Sequence, residues 1–156
     1  MRSTMQRRLI LMSLALLTLR SRAQDSFSYE VIGEFEMPRD RLFDTSLLWL
    51  AETARSSKSV IDLKDKDLGT IIGNASTSLN IAWGTNVPMI FKLRIDVKDN
   101  RYRLTFSQVQ LNFDYGLKPI EQANRESLEP KAKKYFADLA VGFQTYLVAA
   151  AKAKPW

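Results

Sequence analysis

Hydrophobic and polar residues alternate with period two over most of the middle of this chain. The run MIFKLRIDVK shows it most clearly: Met89, Phe91, Leu93, Ile95 and Val97 share one parity, and Lys92, Arg94, Asp96 and Lys98 the other. Side chains of a strand point to opposite faces in turn, so this run reads as a strand with one buried face. SFSYEVIGEFE reads the same way, with Phe27, Tyr29, Val31 and Phe35 inward and Ser28, Glu30, Glu34 and Glu36 mostly outward. KSVIDL is a second strand. LGTIIGNASTSLNIAW is a long third one, with Ile71, Leu79, Ile81 and Trp83 on one parity and Thr70, Asn74, Ser76, Ser78 and Asn80 on the other, ended by a turn over GTNVP. After Asp99-Asn100, a two-residue turn whose side chains tolerate positive φ, RYRLTFSQVQLNF returns as a fifth strand. Its apolar parity switches from Tyr102, Leu104 and Phe106 to Val109, Leu111 and Phe113, which calls for an extra residue, a β-bulge near Ser107-Gln108.

Two segments follow the helical period instead. From Pro38 to Arg55, Phe43, Leu47, Leu50 and Ala54 fall on one stripe with Trp49 alongside. After a polar connector from Asp114 to Glu126, Ser127 is placed to cap a last helix, whose stripe is Phe136, Leu139, Ala140, Phe143, Leu147 and Ala150. The order β-α-β-β-β-β-α, with one apolar face per element, implies an α+β two-layer sandwich: an antiparallel sheet with two helices packed on one face.

The chain's start changes the electrostatic reading. MRSTMQRR is basic, Leu9–Leu19 is apolar apart from Ser13 and Thr18, and Ser21 and Ala23 are the small residues a signal peptidase reads. Residues 1–23 are therefore expected to be a cleavable secretory signal, with a single domain over 24–152 and a frayed tail over 153–156. A transit peptide and a retained short anchor are the other readings of an Arg-rich, acid-free leader. The apolar run is shorter than the roughly 20 residues of a membrane-spanning helix. Five of the 23 basic residues lie in this leader; the remainder carries 18 basic and 17 acidic residues. A nearly neutral domain offers little of the phosphate-neutralising charge on which nucleic-acid binding depends, so no nucleic acid is expected as partner. The chain has no cysteine and no histidine. Disulfides, Cys/His zinc sites and histidine-based hydrolase triads are excluded with them.

The acids of DLKDKDLGT invite a metal reading, which their spacing does not support. A calcium loop starting at Asp65 would need a ligand at Gly69, a glycine at Thr70 and a glutamate at Ser76. A phosphate loop would need Lys-Ser/Thr after the glycines Gly69 and Gly73. Asp62, Asp65 and Asp67 are instead expected to be the exposed, dispensable acids of a hairpin corner, with Gly69 holding a backbone angle that other residues resist. No metal and no cofactor is expected. The small residues of GNASTS are read as room for a bent strand to approach a helix, and Asn74-Ala75-Ser76 is formally a glycosylation sequon. Trp49 and Trp83 are expected in the core and Trp156 in solvent.

The remaining feature is the outward sheet face, which gathers Glu30, Glu34, Asn74, Ser76, Ser78, Asn80 and Gln110 around the charged group Lys92, Arg94, Asp96, Arg101 and Arg103. It is the broad surface on which a protein partner can be placed, and Lys92, Arg94, Asp96, Arg101 and Arg103 are the candidate contact residues.

LLWLAETARSSKSVIDLKDKDLGTIIGNAS together with FKLRIDVKDNRYRLTFSQVQL resembles an exported bacterial domain-of-unknown-function family with a TATA-binding-protein-like (TBP-like) fold. The resemblance runs from about Tyr29 to Phe113. KDNRYR has Asn100 where glycine is commoner in the family, a swap that a type I′ turn permits. These motifs are turns and core positions, so the resemblance implies the fold and carries no activity or catalytic residues. The outward face, mixed in charge and without exposed apolar wedges, makes the likeness to a DNA-binding saddle architectural. The functional expectation is an exported, periplasmic or secreted, non-enzymatic binding or accessory module that contacts another envelope protein through its sheet face or an edge. The alternative is a small apolar-ligand carrier with a pocket between sheet and helices, lined by Phe43, Trp49, Phe91, Phe106, Phe136 and Phe143.

Overall fold

A computed structural model of the chain describes residues 26–56 and 60–153. The expected leader and Trp156 lie outside the described residues. The elements in order are β1 (Ser28–Glu34), α1 (Arg39–Ser56), β2 (Val60–Asp65), β3 (Thr70–Ala82), β4 (Thr85–Lys98), β5 (Arg101–Phe113), β6 (Gly116–Pro119), a single 3-10 turn (Ile120–Gln122) and α2 (Arg125–Lys152). Every strand pair is antiparallel, and the sheet order is β1-β5-β4-β3-β2 with β6 also paired to β5. β1 pairs with Arg101–Ser107 and β6 with Gln110–Phe113, so two short strands lie end to end along one flank of β5.

The join between them is the expected bulge. Pairing runs Ile90 to Gln110 and then Lys92 to Ser107, leaving Gln108 and Val109 opposite Phe91, and Gln108 takes a φ of 51°. The extra residue returns Val109 and Leu111 to the buried face that Tyr102, Leu104 and Phe106 occupy before it.

Both helices cover that face. α1 buries Leu42, Phe43, Ser46, Trp49 and Leu50, and α2 buries Leu128, Ala132, Phe136, Ala140, Phe143 and Leu147. Leu47, Leu139 and Ala150 of the expected stripes are only half-buried. Buried Ser46 satisfies its hydroxyl locally by donating to the Leu42 carbonyl at 2.6 Å. Of the small residues of β3, Ala75 is buried, while a Cβ on Gly73 would make only ordinary contact with Leu50 Cδ2 of α1 at 3.5 Å and would press closer, at 3.1 Å, on the Val60 carbonyl of β2.

Four local expectations are corrected. Trp83 is not core: the β3–β4 hairpin turns at Trp83-Gly84, with φ of 45° and 80°, and the indole is fully exposed. Thr85 to Pro88, expected to turn the chain, are already β4. The connector over 114–126 contains β6 and the 3-10 turn, a strand too short and polar to show a period. α2 starts at Arg125 with Asn124 at its N-cap position, and Ser127, already inside the helix, donates its hydroxyl to the Asn124 carbonyl at 3.3 Å.

The Asp99-Asn100 turn is where expected, but only Asn100 has a positive φ, 61°, so it is not type I′. It is held from outside by the β1–α1 linker. Met37 N–H donates to Asn100 Oδ1 at 3.0 Å, Asn100 N–H to the Met37 carbonyl at 3.0 Å, and Phe35 N–H to the Asn100 carbonyl at 3.0 Å. Arg39 N–H, at the start of α1, donates to Asp99 Oδ1 at 2.8 Å, so the hairpin caps the helix across 60 residues of sequence. Asp99→Ala is expected to cost about 1 kcal/mol, as loss of an N-cap does, read as a lower urea midpoint.

The acid-rich corner is a four-residue loop between β2 and β3. Asp62 and Asp67 are exposed, whereas Asp65 is half-buried because its Oδ1 accepts the Leu68 N–H at 2.9 Å. Arg39 donates to the Lys66 carbonyl at 2.8 Å and to that of Asp67, and Lys66 pairs with Asp44 at 2.9 Å. Asparagine retains the oxygen that Asp65 uses. The triple change Asp62→Asn, Asp65→Asn and Asp67→Asn is therefore expected to move stability by no more than about 0.5 kcal/mol, with no response of either protein's melting temperature to calcium.

Candidate functional site: the open face of the sheet

The face of the sheet turned away from the helices is open, and antiparallel register stacks its side chains in rows. One row crosses five strands as Ile32, Arg103, Asp96, Thr70 and Asp65. The next is Glu30, Thr105, Arg94, Ile72 and Leu63, and the third Ser28, Ser107, Lys92, Asn74 and Val60. The predicted charged residues thus sit on β4 and β5, the central strands, where the backbone is paired on both sides.

Asp96 organises them. It accepts from Thr70 Oγ1 at 2.8 Å, from Arg94 Nε at 2.9 Å to each oxygen, and from Arg103 Nε and Nη2 at 3.3 and 3.1 Å. Its side chain is 17% exposed, against 49% for Arg94 and 46% for Arg103. Burial by itself would raise the Asp96 carboxyl, but the hydrogen bonds from Thr70, Arg94 and Arg103 and the charge of Arg94 outweigh it, so the group ionises below the ordinary 3.8. The folded-state value therefore lies below the unfolded one. Ionised Asp96 contributes stability above the ordinary range, and that contribution is lost as pH falls through the depressed value. Asp96→Asn is expected to flatten the acid limb of a stability–pH curve. The two proteins should differ near neutrality and converge in strong acid.

The other predicted members stand apart. Arg101, the first residue of β5, lies 3.6 Å from Glu34, and both are well exposed, a pair of little energetic weight. Arg103 also lies 4.0 Å from Glu30. Lys92 is half-buried one row away and has no ion-pair partner among the described residues. Asn74 donates to Asp62, at the sheet's far side. Between the two clusters of charge, Ile32, Asp96, Lys98, Arg101, Tyr102 and Arg103 line a cleft of about 190 Å³.

The face is also less polar than expected. Ile32, Val60 and Leu63 are 57%, 65% and 45% exposed, and cross-strand pairing places all three on the open side. Ile32 breaks an otherwise polar parity in β1 and was legible as such; Val60 and Leu63 fall on one face only because β2 shifts register between Ile61 and Leu63. Of the six aromatic residues expected to line an internal pocket, Phe43 is buried and the other five make ring contacts among themselves. Phe106 stacks on Phe136 at 4.5 Å, Phe91 meets Phe136 edge-on at 5.0 Å, and Trp49 meets Phe143 at 4.9 Å.

No curated protein matches this chain. Among solved structures it is similar to a DUF4468 family protein from Bacteroides ovatus, with a TM-score of 0.63 and 15% identity over 83% of this chain and 88% of that one. It is equally similar, with a TM-score of 0.63, to a TBP-like protein from Parabacteroides distasonis, at 20% identity over 83% of this chain and 95% of that one. At such identities the likeness is one of fold. A family model, the domain of unknown function DUF4468 with TBP-like fold, matches residues 29–112, from β1 to the end of β5. The chain belongs to the DUF4468 family, and its α+β sandwich is the TBP-like fold of that family.

Proposed function

We propose that this chain is an exported, non-enzymatic binding module that presents the open face of its sheet to another protein of the cell envelope. The observation that carries the reading is the Arg94–Asp96–Arg103 network, fixed on paired central strands beside exposed Ile32, with exposed Val60 and Leu63 on the same face across β3. Arginine and aliphatic side chains held on a rigid, flat surface are what a protein interface uses, since the guanidinium groups are oriented before the partner arrives. Asp96 leaves the outer edges of both guanidinium groups available to a carboxylate, and the cleft beside Ile32 has room for about one side chain. Acids and bases alternate on this face, which suits a protein partner better than a polyanion. Export rests on the leader over 1–23; among the described residues no helix is long and apolar enough to cross a membrane.

The test is recovery of partners from an envelope fraction with the wild type and with Arg94→Glu/Arg103→Glu, after fractionation locates the protein. A partner held by the wild type and released by the reversed pair supports the reading. A protein found in the cytoplasm, or an unchanged set of partners, overturns it.

A small-ligand carrier is the second reading. What supports it is a groove of about 370 Å³ at the far end of the sandwich, where Ile81, Phe113, Tyr115, Lys118 and Leu128 converge. Stabilisation by one class of apolar ligand in a thermal-shift screen, abolished by Leu128→Lys, would favour it.

A further inference from the structure

The edge of the sheet formed by β2 and β3 is guarded along one half and, among the described residues, bare along the other. β2 covers β3 from Thr70 to Asn74 and carries what keeps an edge from pairing with another chain: Asp62, Lys64 and Asp65, and a register shift after Ile61. Beyond Asn74, no strand among the described residues pairs with the outer side of β3, which continues to Ala82. That stretch, ASTSLNIA, has no charge and no proline; the whole 13-residue strand has no charged side chain. Ser78, Asn80 and Ala82 are exposed and Leu79 is buried, so the edge keeps its period two as far as Asn80, and its register against β4 shifts only at the tip, between Asn80 and Ala82. At its tip stands Trp83, fully exposed and at a φ of 45° that bulky side chains resist. An exposed tryptophan held in a strained turn is a common anchor of protein contacts.

From this contrast we infer that the bare half of β3 pairs with the same segment of a second copy of this chain, joining two sheets into one across a two-fold axis. Two identical edges meet here without like-charge repulsion because neither carries charge, which is the condition a self-complementary contact must satisfy. Antiparallel pairing about Asn80 sets Leu79 of each copy opposite Ile81 of the other. The buried face then runs unbroken from one sheet to the next, and Asn80 faces Asn80 on the open side. Trp83 of each copy extends alongside the other's strand, adding apolar area to a contact that backbone pairing alone would leave small. The interface lies at the sheet's edge, so the open face of each copy remains available.

The experiment is sedimentation of the purified protein from micromolar to millimolar concentration, with Ser78→Lys/Asn80→Lys alongside. The wild type is expected to pass from monomer to dimer, and the two added lysines to raise the dimer dissociation constant at least tenfold while the circular dichroism spectrum is retained. A wild type that stays monomeric throughout, or a dimer indifferent to the lysines, overturns the pairing. Because the chain has no cysteine, Asn80→Cys gives a second reading that does not depend on the lysine variant folding. Under mild oxidation it should form a disulfide-linked dimer faster than Ile32→Cys on the open face. Equal rates, or a faster reaction at position 32, overturn the proposal.

Discussion

Replacing Phe136 with alanine is expected to lower stability by about 3–5 kcal/mol, as large-to-small changes at buried aromatics do. The ring is fully buried, stacks on Phe106 with 14° between planes, meets Phe91 edge-on, and lies within 6.3 Å of the rings of Tyr29 and Phe27. Removing it leaves a void bounded by four other rings on three strands and their flank, which rigid sheet backbone prevents from closing. A domain of this size has a total stability of about 5–15 kcal/mol, so the variant should sit close to its unfolding midpoint at moderate urea. The check is a urea titration by circular dichroism, with the midpoint falling and the slope unchanged. Phe136→Leu, which retains most of the volume, should fall by less than half as much.

Gly69→Val is expected to cost about 2–4 kcal/mol, from backbone strain and overpacking together. Gly69 sits at a φ of 66°, where a β-branched residue is strained whatever the space around it. Space is lacking as well: a Cβ there would stand 2.6 Å from the Val97 carbonyl oxygen, a backbone atom that cannot move aside. Nor can the loop shift to relieve it, because Gly69 is bound on both sides. Its carbonyl accepts the Val97 N–H at 2.8 Å and its own N–H donates to Lys66 at 3.2 Å. A melting curve of Gly69→Val beside the triple aspartate variant separates the two roles of the corner, with the glycine costly and the acids nearly silent.

How much of this was legible depended on whether a short-range feature set the geometry. The two-residue turn at Asp99-Asn100 pairs Lys98 with Arg101, and counting back places Asp96 opposite Arg103, so the centre of the site follows from sequence. Thr70 does not follow in that way. Its pairing with Asp96 depends on where the β3–β4 hairpin turns, and the turn reads one residue late, over Gly84 to Pro88, because Trp83 continues the apolar parity of the strand. The β1–β5 pairing that brings Glu30 and Glu34 to the arginines spans some 70 residues and no turn sets it. The bulge at Gln108 was legible because a parity switch has few other causes. β6 was not, since four residues with one leucine carry no period. The open face as a whole was legible as polar, with Ile32 as its exception; the joint exposure of Val60 and Leu63 depends on a register shift that only the assembled sheet provides.

The central claim is that partners meet the sheet face and not the helical layer, which has its own exposed apolar residues in Leu48 and Val141. The most direct measurement places a photoreactive amino acid at Ile32 or Thr105 on the sheet, and at Leu48 or Val141 on the helices, and irradiates intact cells. A discrete adduct to another envelope protein from the two sheet positions, absent from the two helix positions and lost on Arg94→Glu/Arg103→Glu, is the predicted result. Adducts that arise from Leu48 or Val141 alone, or equally from all four positions, would contradict it.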